Sequence, residues 1–302
     1  MILFRSFRFA LVVGMLLSAS ALQAEAAQPL VDAAWVKANL KTAGFVILGA
    51  RGPQDYQQGH VPGAVHTDYG RDGWRVRRGQ VAGLLGPVGG LEKLIGGLSI
   101  SNDDHVVITA GGYSAGEMGK ATRICWTFKV LGHDAVSILD DGMLAYGTSP
   151  LATAVASRPA KIFKAILKNE LLATASDVRG ALQSGVLIDS RSPDQYLGIN
   201  KSGAVRRAGT LPGAKNLPGQ WMTHDDGGFF RDADAIRALY QMSGIPTDGP
   251  AIAFCNTGHW SSIGWFMAHE ILGNKQTRMY DGSMAEWTAD DANPVERRVN
   301  AD

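Results

Sequence analysis

FVILGARGPQDYQQGHVPGAV (45–65) and GVLIDSRSPDQYLGINKSGAV (185–205) are two versions of one pattern. Arg51 matches Arg191, Pro53 matches Pro193 and Tyr56 matches Tyr196, each at an offset of 140. The offset persists further on. ILDDGMLAY (138–146) matches RMYDGSMAEW (278–287) through Asp141-Gly142 and Asp281-Gly282, and KVLGH (129–133) echoes HEILGN (269–274). Similarity at a fixed spacing is the mark of one structural unit used again. Two copies account for most of the chain.

Each copy alternates short apolar runs with segments of helical period. In the first, VDAAWVKANL, LEKLIGGLSI and ATRICWTFKVLG read as helices, and FVILGA, HVVITA and AVSILD as strands. In the second, SDVRGALQSG, ADAIRALYQMSG and SSIGWFMAHEILG read as helices, and VLIDS, AIAFC and TRMYDG as strands. Continuous apolar strands separated by helices predict an α/β fold with a mostly parallel sheet and helices on both faces. The expected domains are 28–150 and 161–296, joined near SPLATAVASRPAK (149–161).

The whole chain of 302 residues suits two domains, and its net charge of +1 gives no electrostatic reason to expect nucleic acid. The first residues stand apart from the repeat. Arg5 and Arg8 precede an uncharged run from Phe9 to Ala24, and Ala24-Glu25-Ala26 offers a cleavage site. This predicts a secretory signal peptide over 1–26 and a periplasmic mature protein with no membrane contact. A retained anchor is the competing reading, which the short apolar stretch disfavours.

Two cysteines in an exported chain raise the question of a disulfide. Cys125 sits among Ile124, Phe128 and Leu131 at helical spacing, which predicts a core residue. Pairing with Cys255 would join two domains, and most Cα pairs are too far apart to bridge. In AIAFCNTGHWSSIGWF (251–266), Cys255 ends a strand, where α/β folds collect ligands. The loop after it supplies a curl of backbone N–H groups, an anion nest suited to a charged sulfur. On local pattern alone, nucleophile and core filler both remain open. Gly258 reads as a turn glycine free to take positive φ, and Thr257 as a turn residue. His259 could supply a charge or a proton, or be a simple exposed loop residue. Trp260 reads as a packing residue at the pocket wall.

The tandem copies, with DSRSPDQY (189–196), GTLPGA (209–214), CNTGHW (255–260) and YDGS (280–283), resemble the rhodanese family of two-domain sulfurtransferases. The resemblance implies two rhodanese-like domains and no cofactor or metal. It implies that Cys255 takes a sulfane sulfur from a small-molecule donor as a persulfide and passes it to a thiophilic acceptor, cyanide, a thiol or a protein. It implies that Arg191 contacts the anionic donor; a salt bridge to Asp189 is the structural alternative. Asn256, Thr257, Gly258, His259 and Trp260 complete the expected substrate loop. In the first copy Ala110 stands where Cys255 does, so that copy is expected to be inactive, with a loop about four residues longer before its helix.

The loop departs from the family. Thiosulfate-preferring members carry basic residues after the cysteine and mercaptopyruvate-preferring members a Gly-Ser pair, whereas this chain has Asn256 and Thr257. Thiosulfate is the expected donor. A sulfur carrier with little turnover of its own is the alternative, and a mercaptopyruvate enzyme ranks behind it. A Cys-x5-Arg phosphatase would need arginine at 261, which is Ser261. No HExxH metal pattern follows His269-Glu270.

Overall fold

A computed structural model describes residues 27–300; the expected signal peptide, 1–26, lies outside the described residues. The first copy contains β1 (Leu30–Val31), α1 (Ala33–Asn39), β2 (Phe45–Gly49), α2 (Pro53–Gln58), β3 (Val65–His66), β4 (Arg75–Arg78) and β5 (Val81–Leu85). It continues with α3 (Val88–Gly97), β6 (His105–Thr109), α4 (Ala115–Val130), β7 (Val136–Leu139) and α5 (Gly142–Tyr146). The second contains β8 (Leu172–Ala173), α6 (Ala175–Ala181), β9 (Val186–Asp189), α7 (Pro193–Leu197) and β10 (Lys215–Asn216). It ends with α8 (Ala233–Met242), β11 (Ala251–Phe254), α9 (Trp260–Phe266), β12 (Thr277–Tyr280) and α10 (Ser283–Trp287).

Two five-stranded sheets form, β1-β7-β6-β2-β3 and β8-β12-β11-β9-β10, with every pairing parallel. The two orders are the same order, so the repeat seen in sequence is a repeat of topology. The central strands β6 and β11 are buried nearly throughout, which is why they read as unbroken apolar runs. Their ends correspond bond for bond. Ala50 N–H bonds to Thr109 O as Ser190 N–H bonds to Phe254 O, both at 2.9 Å. Ala110 therefore occupies the position of Cys255, as expected.

The extra length of the first copy is not in that loop. Residues 111–114 and 256–259 form equally short connections, and the difference is one helical turn. α4 runs for 16 residues, whereas α9 runs for 7 and continues as a π turn of 5, Met267–Ile271. The turn was hidden because GGYSAGEM holds three glycines. Ser114 caps it by accepting Glu117 N–H, and Glu117 adds an acid to the first turn. A second unforeseen element is the antiparallel hairpin β4–β5, whose alternation is masked by the arginines of RVRR (75–78).

The copies pack α4 against α9, and a single apolar core containing Val46, Ile108, Trp126, Ile188, Ala253 and Trp265 crosses the seam. Each copy also covers the loops of the other. Leu85 N–H donates to Asp281 Oδ2 at 2.6 Å, and in return Phe230 N–H donates to Asp140 Oδ1 at 3.0 Å. The connector is not free either: Lys161 pairs with Asp104 at 2.7 Å, and Ser99 donates to Pro159 O. Among the described residues no helix is long and apolar enough to cross a membrane.

Candidate active site

Cys255 follows β11, the middle strand of its sheet, at the carboxyl end where open α/β sheets bind ligands. Its backbone is tied down on three sides. Cys255 N–H donates to Ser283 Oγ at 3.1 Å, Cys255 O accepts Met284 N–H at 3.0 Å and Asn256 O accepts Ala285 N–H at 2.9 Å. The first turn of α10 thus fixes where the thiol stands. Ser283 holds a left-handed φ of 50° to do this, and its hydroxyl also donates to Tyr280 O.

The sulfur is wholly buried and ringed by donors. Gly258 N–H lies 3.2 Å from Sγ, Ser261 Oγ 3.5 Å and Ser283 Oγ 4.0 Å. Ser261, the position a phosphatase would fill with arginine, presents a hydroxyl to sulfur instead. Gly258 has φ +78°, and a Cβ there would collide with the Arg123 guanidinium, so both conformation and space call for glycine. Cys125 lies in the core of α4, unpaired, and burial pushes its thiol up to about 12. Both cysteines are free, so no disulfide joins the domains.

The first copy, although Ala110 stands at its matching strand end, supplies the charge around this loop. Arg75 of β4 donates through Nη2 to Thr257 O at 2.5 Å and to Thr257 Oγ1 at 3.0 Å. Arg123 of α4, fully buried, donates through Nη1 to Gly258 O at 2.9 Å and through Nη2 to Gly83 O and Asp281 Oδ1. Asp281 therefore joins three pieces: its own Asp-Gly turn, Arg123 and the hairpin backbone at Leu85. Arg123 also stacks on Trp126, 4.5 Å from the ring centre.

His259 is neither an exposed loop histidine nor a source of positive charge. Its Nε2 faces Gly116 O at 3.0 Å, so that nitrogen carries the proton, and Nδ1 accepts from Tyr69 OH at 3.0 Å. Desolvation first, and Arg75 next, hold its pKa down at about 4, so the ring is neutral at pH 7. Trp260 packs between the copies, against Gly116 and Gly219. The contacts of Gly116 come from the extra turn of α4. Asn256 donates through Nδ2 to Gln195 Oε1 at 2.7 Å, and its Oδ1 is buried with no hydrogen bond among the described residues.

Arg191 makes the salt bridge to Asp189. It is fully buried and grips Asp189 with two prongs, Nε to Oδ1 at 2.9 Å and Nη2 to Oδ2 at 2.5 Å, while Nη2 also reaches Gly209 O. Thr210 Oγ1 completes the carboxylate at 2.7 Å. The carboxylate takes one edge of the guanidinium, and Nη1, also buried, makes no hydrogen bond among the described residues. Arg51, its counterpart, is buried with Nη2 on Gly59 O. Sequence reasoning missed Tyr69, Arg75, Arg123, Ser261 and the role of Asp281 and Ser283. Only the last two carried a signal, in the repeated Asp-Gly. Among the described residues no cluster of His, Cys, Asp and Glu could hold a metal ion.

Fold and site define a tandem α/β protein that cradles one cysteine on the strand-to-helix loop of its second copy. The chain belongs to the rhodanese family of sulfurtransferases: the rhodanese-like domain model matches residues 32–149 and again 174–290. A protein of Saccharopolyspora erythraea provisionally named a thiosulfate sulfurtransferase is 32% identical over 88% of this chain and 95% of its own length. The sulfur carrier protein TtuD of Thermus thermophilus is 32% identical over 85% of this chain and 93% of its own. Solved structures share the fold at lower identity. The anaerobic ergothioneine biosynthesis enzyme of Chlorobium limicola superposes with a TM-score of 0.78 at 21% identity, covering 90% of this chain and 71% of that one. SseA of Escherichia coli, a 3-mercaptopyruvate sulfotransferase by its description, gives 0.73 at 23%, covering 85% and 98%.

Proposed function

We propose that the chain transfers the outer sulfur of thiosulfate to a thiophilic acceptor, with Cys255 as carrier. The observation that carries this is the pair of donors on Sγ, the Gly258 amide at 3.2 Å and the Ser261 hydroxyl at 3.5 Å, suited to a sulfur that bears negative charge. The Cys255 thiolate attacks the sulfane sulfur, a Cys–S–S bond forms, and sulfite leaves with the electrons of the broken S–S bond. Cyanide or a thiolate then attacks the outer sulfur of the persulfide. The Cys–S–S bond breaks, thiocyanate or a new persulfide departs, and the Cys255 thiolate returns. The basic residues missing after the cysteine have substitutes in Arg75 and Arg123, which bring two guanidinium groups to the loop and support an anionic donor.

A second reading is a sulfur carrier that hands its cargo to a protein. It is favoured by the full burial of Cys255 beneath the hairpin, where Gly83 presses on Thr257, and by the 32% identity to a carrier. The test is to incubate the protein with thiosulfate, look for one added sulfur on the Cys255 peptide, then add cyanide and assay thiocyanate. Persulfide with fast thiocyanate release supports the transferase, persulfide with slow release the carrier. No persulfide from thiosulfate, mercaptopyruvate or glutathione persulfide overturns both. Cys255→Ala removes the signal and Cys125→Ala keeps it.

Export to the periplasm is part of the same proposal, resting on Arg5, Arg8 and the apolar run before Ala24-Glu25-Ala26. Sequencing the mature N-terminus checks it. A start near residue 27 agrees, and an intact Met1 in the cytosolic fraction overturns it.

A further inference from the structure

We propose that Arg75, a residue of the first copy, is a positioning residue for the second: it aims the amide that holds the Cys255 sulfur. The inference takes Cys255 as the nucleophile, as proposed above. Thr257 C=O and Gly258 N–H belong to one planar trans peptide, so they must point in opposite directions. The oxygen accepts Arg75 Nη2 at 2.5 Å, and the N–H meets Sγ at 3.2 Å. Pulling the carbonyl outward is what turns the amide inward.

The peptide needs such a pin. Gly258 sits at φ +78°, and a glycine accepts either hand of backbone, so turning the peptide over costs little locally. Turned over, it would present a carbonyl oxygen to a sulfur that bears negative charge, replacing attraction by repulsion. Arg75 is built to prevent this. The same Nη2 holds Thr257 Oγ1 at 3.0 Å, Nε bonds to Gly83 O at 3.3 Å, and the guanidinium lies 5.6 Å over the Tyr69 ring. Arg123 treats the next peptide alike, through Gly258 O at 2.9 Å. The hairpin β4–β5, which the second copy reduces to a single antiparallel bridge between Thr223 and Phe230, is what carries Arg75 to the loop.

The test uses the full chain with Arg75→Ala and Arg75→Lys, and iodoacetamide as probe. The alkylation rate of the Cys255 peptide is followed by mass across pH, beside persulfide formation from thiosulfate. Arg75→Ala is expected to move the alkylation midpoint up by about one pH unit. It should also slow persulfide formation about tenfold. Added guanidinium ion should restore both. Arg75→Lys keeps the stem over Tyr69 and the charge but not the fork, and is expected to behave like Arg75→Ala. An unmoved midpoint in either folded variant overturns the proposal, and so does full recovery by lysine, which would reduce Arg75 to a nearby charge. Because alkylation needs no sulfur donor, this arm judges Arg75 even if the wild-type protein forms no persulfide, an outcome that would count against the proposed function instead.

Discussion

Thr122 and Ser262 share a hydrogen bond of 2.8 Å between their hydroxyls, and they stand 140 positions apart, the offset of the repeat itself. The two copies therefore meet through matching residues, as subunits of a two-fold dimer do across an isologous interface. Both side chains are fully buried, and each hydroxyl has a further partner, Gly119 O for Thr122 at 3.3 Å and His259 O for Ser262 at 2.7 Å. Thr122→Val and Ser262→Ala should each cost about 1 kcal/mol, because each removes a buried hydrogen bond across the seam. Ser262→Ala should cost more, since Ser262 Oγ also donates to His259 O at 2.7 Å. The double variant should lose less than the sum. Urea unfolding reads all three, and strict additivity would refute the coupling.

The repeat made the fold legible. Its strands are buried on both faces, so β2, β6, β9 and β11 appear as apolar runs; the 140-residue offset pairs β2 with β9, and the likeness of HVVITA to AIAFC pairs β6 with β11. Cys255 was legible because a strand end is a place where polar loops begin. Arg75 and Arg123 were not, since nothing local marks an arginine whose partner is 182 or 135 residues away. Arg123 is harder still: it lies in ATRICW, where its neighbours are core and the charge looks incidental. The loop comparison with Ala110 misled on length because glycines in AGEMGK obscured the first turn of α4.

Arg191 gives a prediction that separates its two readings. As a structural pair with Asp189, removing it strands a buried carboxylate, so Arg191→Ala should lose about 3–5 kcal/mol of stability. Arg191→Lys should recover little, because one ammonium cannot bridge both oxygens as the fork does. A donor-binding residue would behave otherwise, raising KM for thiosulfate while leaving the urea midpoint in place. Measuring both on one preparation decides it.

Gly258 is the most constrained position of the loop. Alanine there must adopt a left-handed backbone, costing about 1–2 kcal/mol. Its Cβ must also displace the Arg123 guanidinium from Gly258 O and Asp281. Gly258→Ala should therefore lower stability and slow persulfide formation together. Ser262→Ala, by contrast, removes no contact to sulfur and should act mainly on stability. If Gly258→Ala transfers sulfur at the wild-type rate, the amide of residue 258 is not what holds the thiolate.

His259 predicts a pH window. Its pKa falls from 6.5 in the unfolded chain to about 4 in the fold, through desolvation first and then Arg75. The unfolded state thus takes up a proton at a pH where the folded state does not. The resulting stability is fully present above pH 6.5, declines as pH falls, and is gone below about 4. Its size is on the order of 3 kcal/mol. Protonation would also put a cation beside Arg75, Arg123 and Lys120, the charges that face the ring, and disturb the bond Nδ1 accepts from Tyr69. His259→Gln keeps a hydrogen-bonding side chain without a titrating group. Urea midpoints measured from pH 7 to pH 4 should fall more steeply for the wild-type protein than for His259→Gln. His105 and His133, also held below the free imidazole by burial, and Glu270 and Asp177, whose stabilisation fades from 4.5 and 3.8 down to about 2, contribute the same slope to both proteins, so the difference between the two curves isolates His259. Parallel curves for the two proteins would mean that His259 takes up a proton as readily in the fold as in the unfolded chain, and the buried neutral bridge from Tyr69 to Gly116 would have to be abandoned.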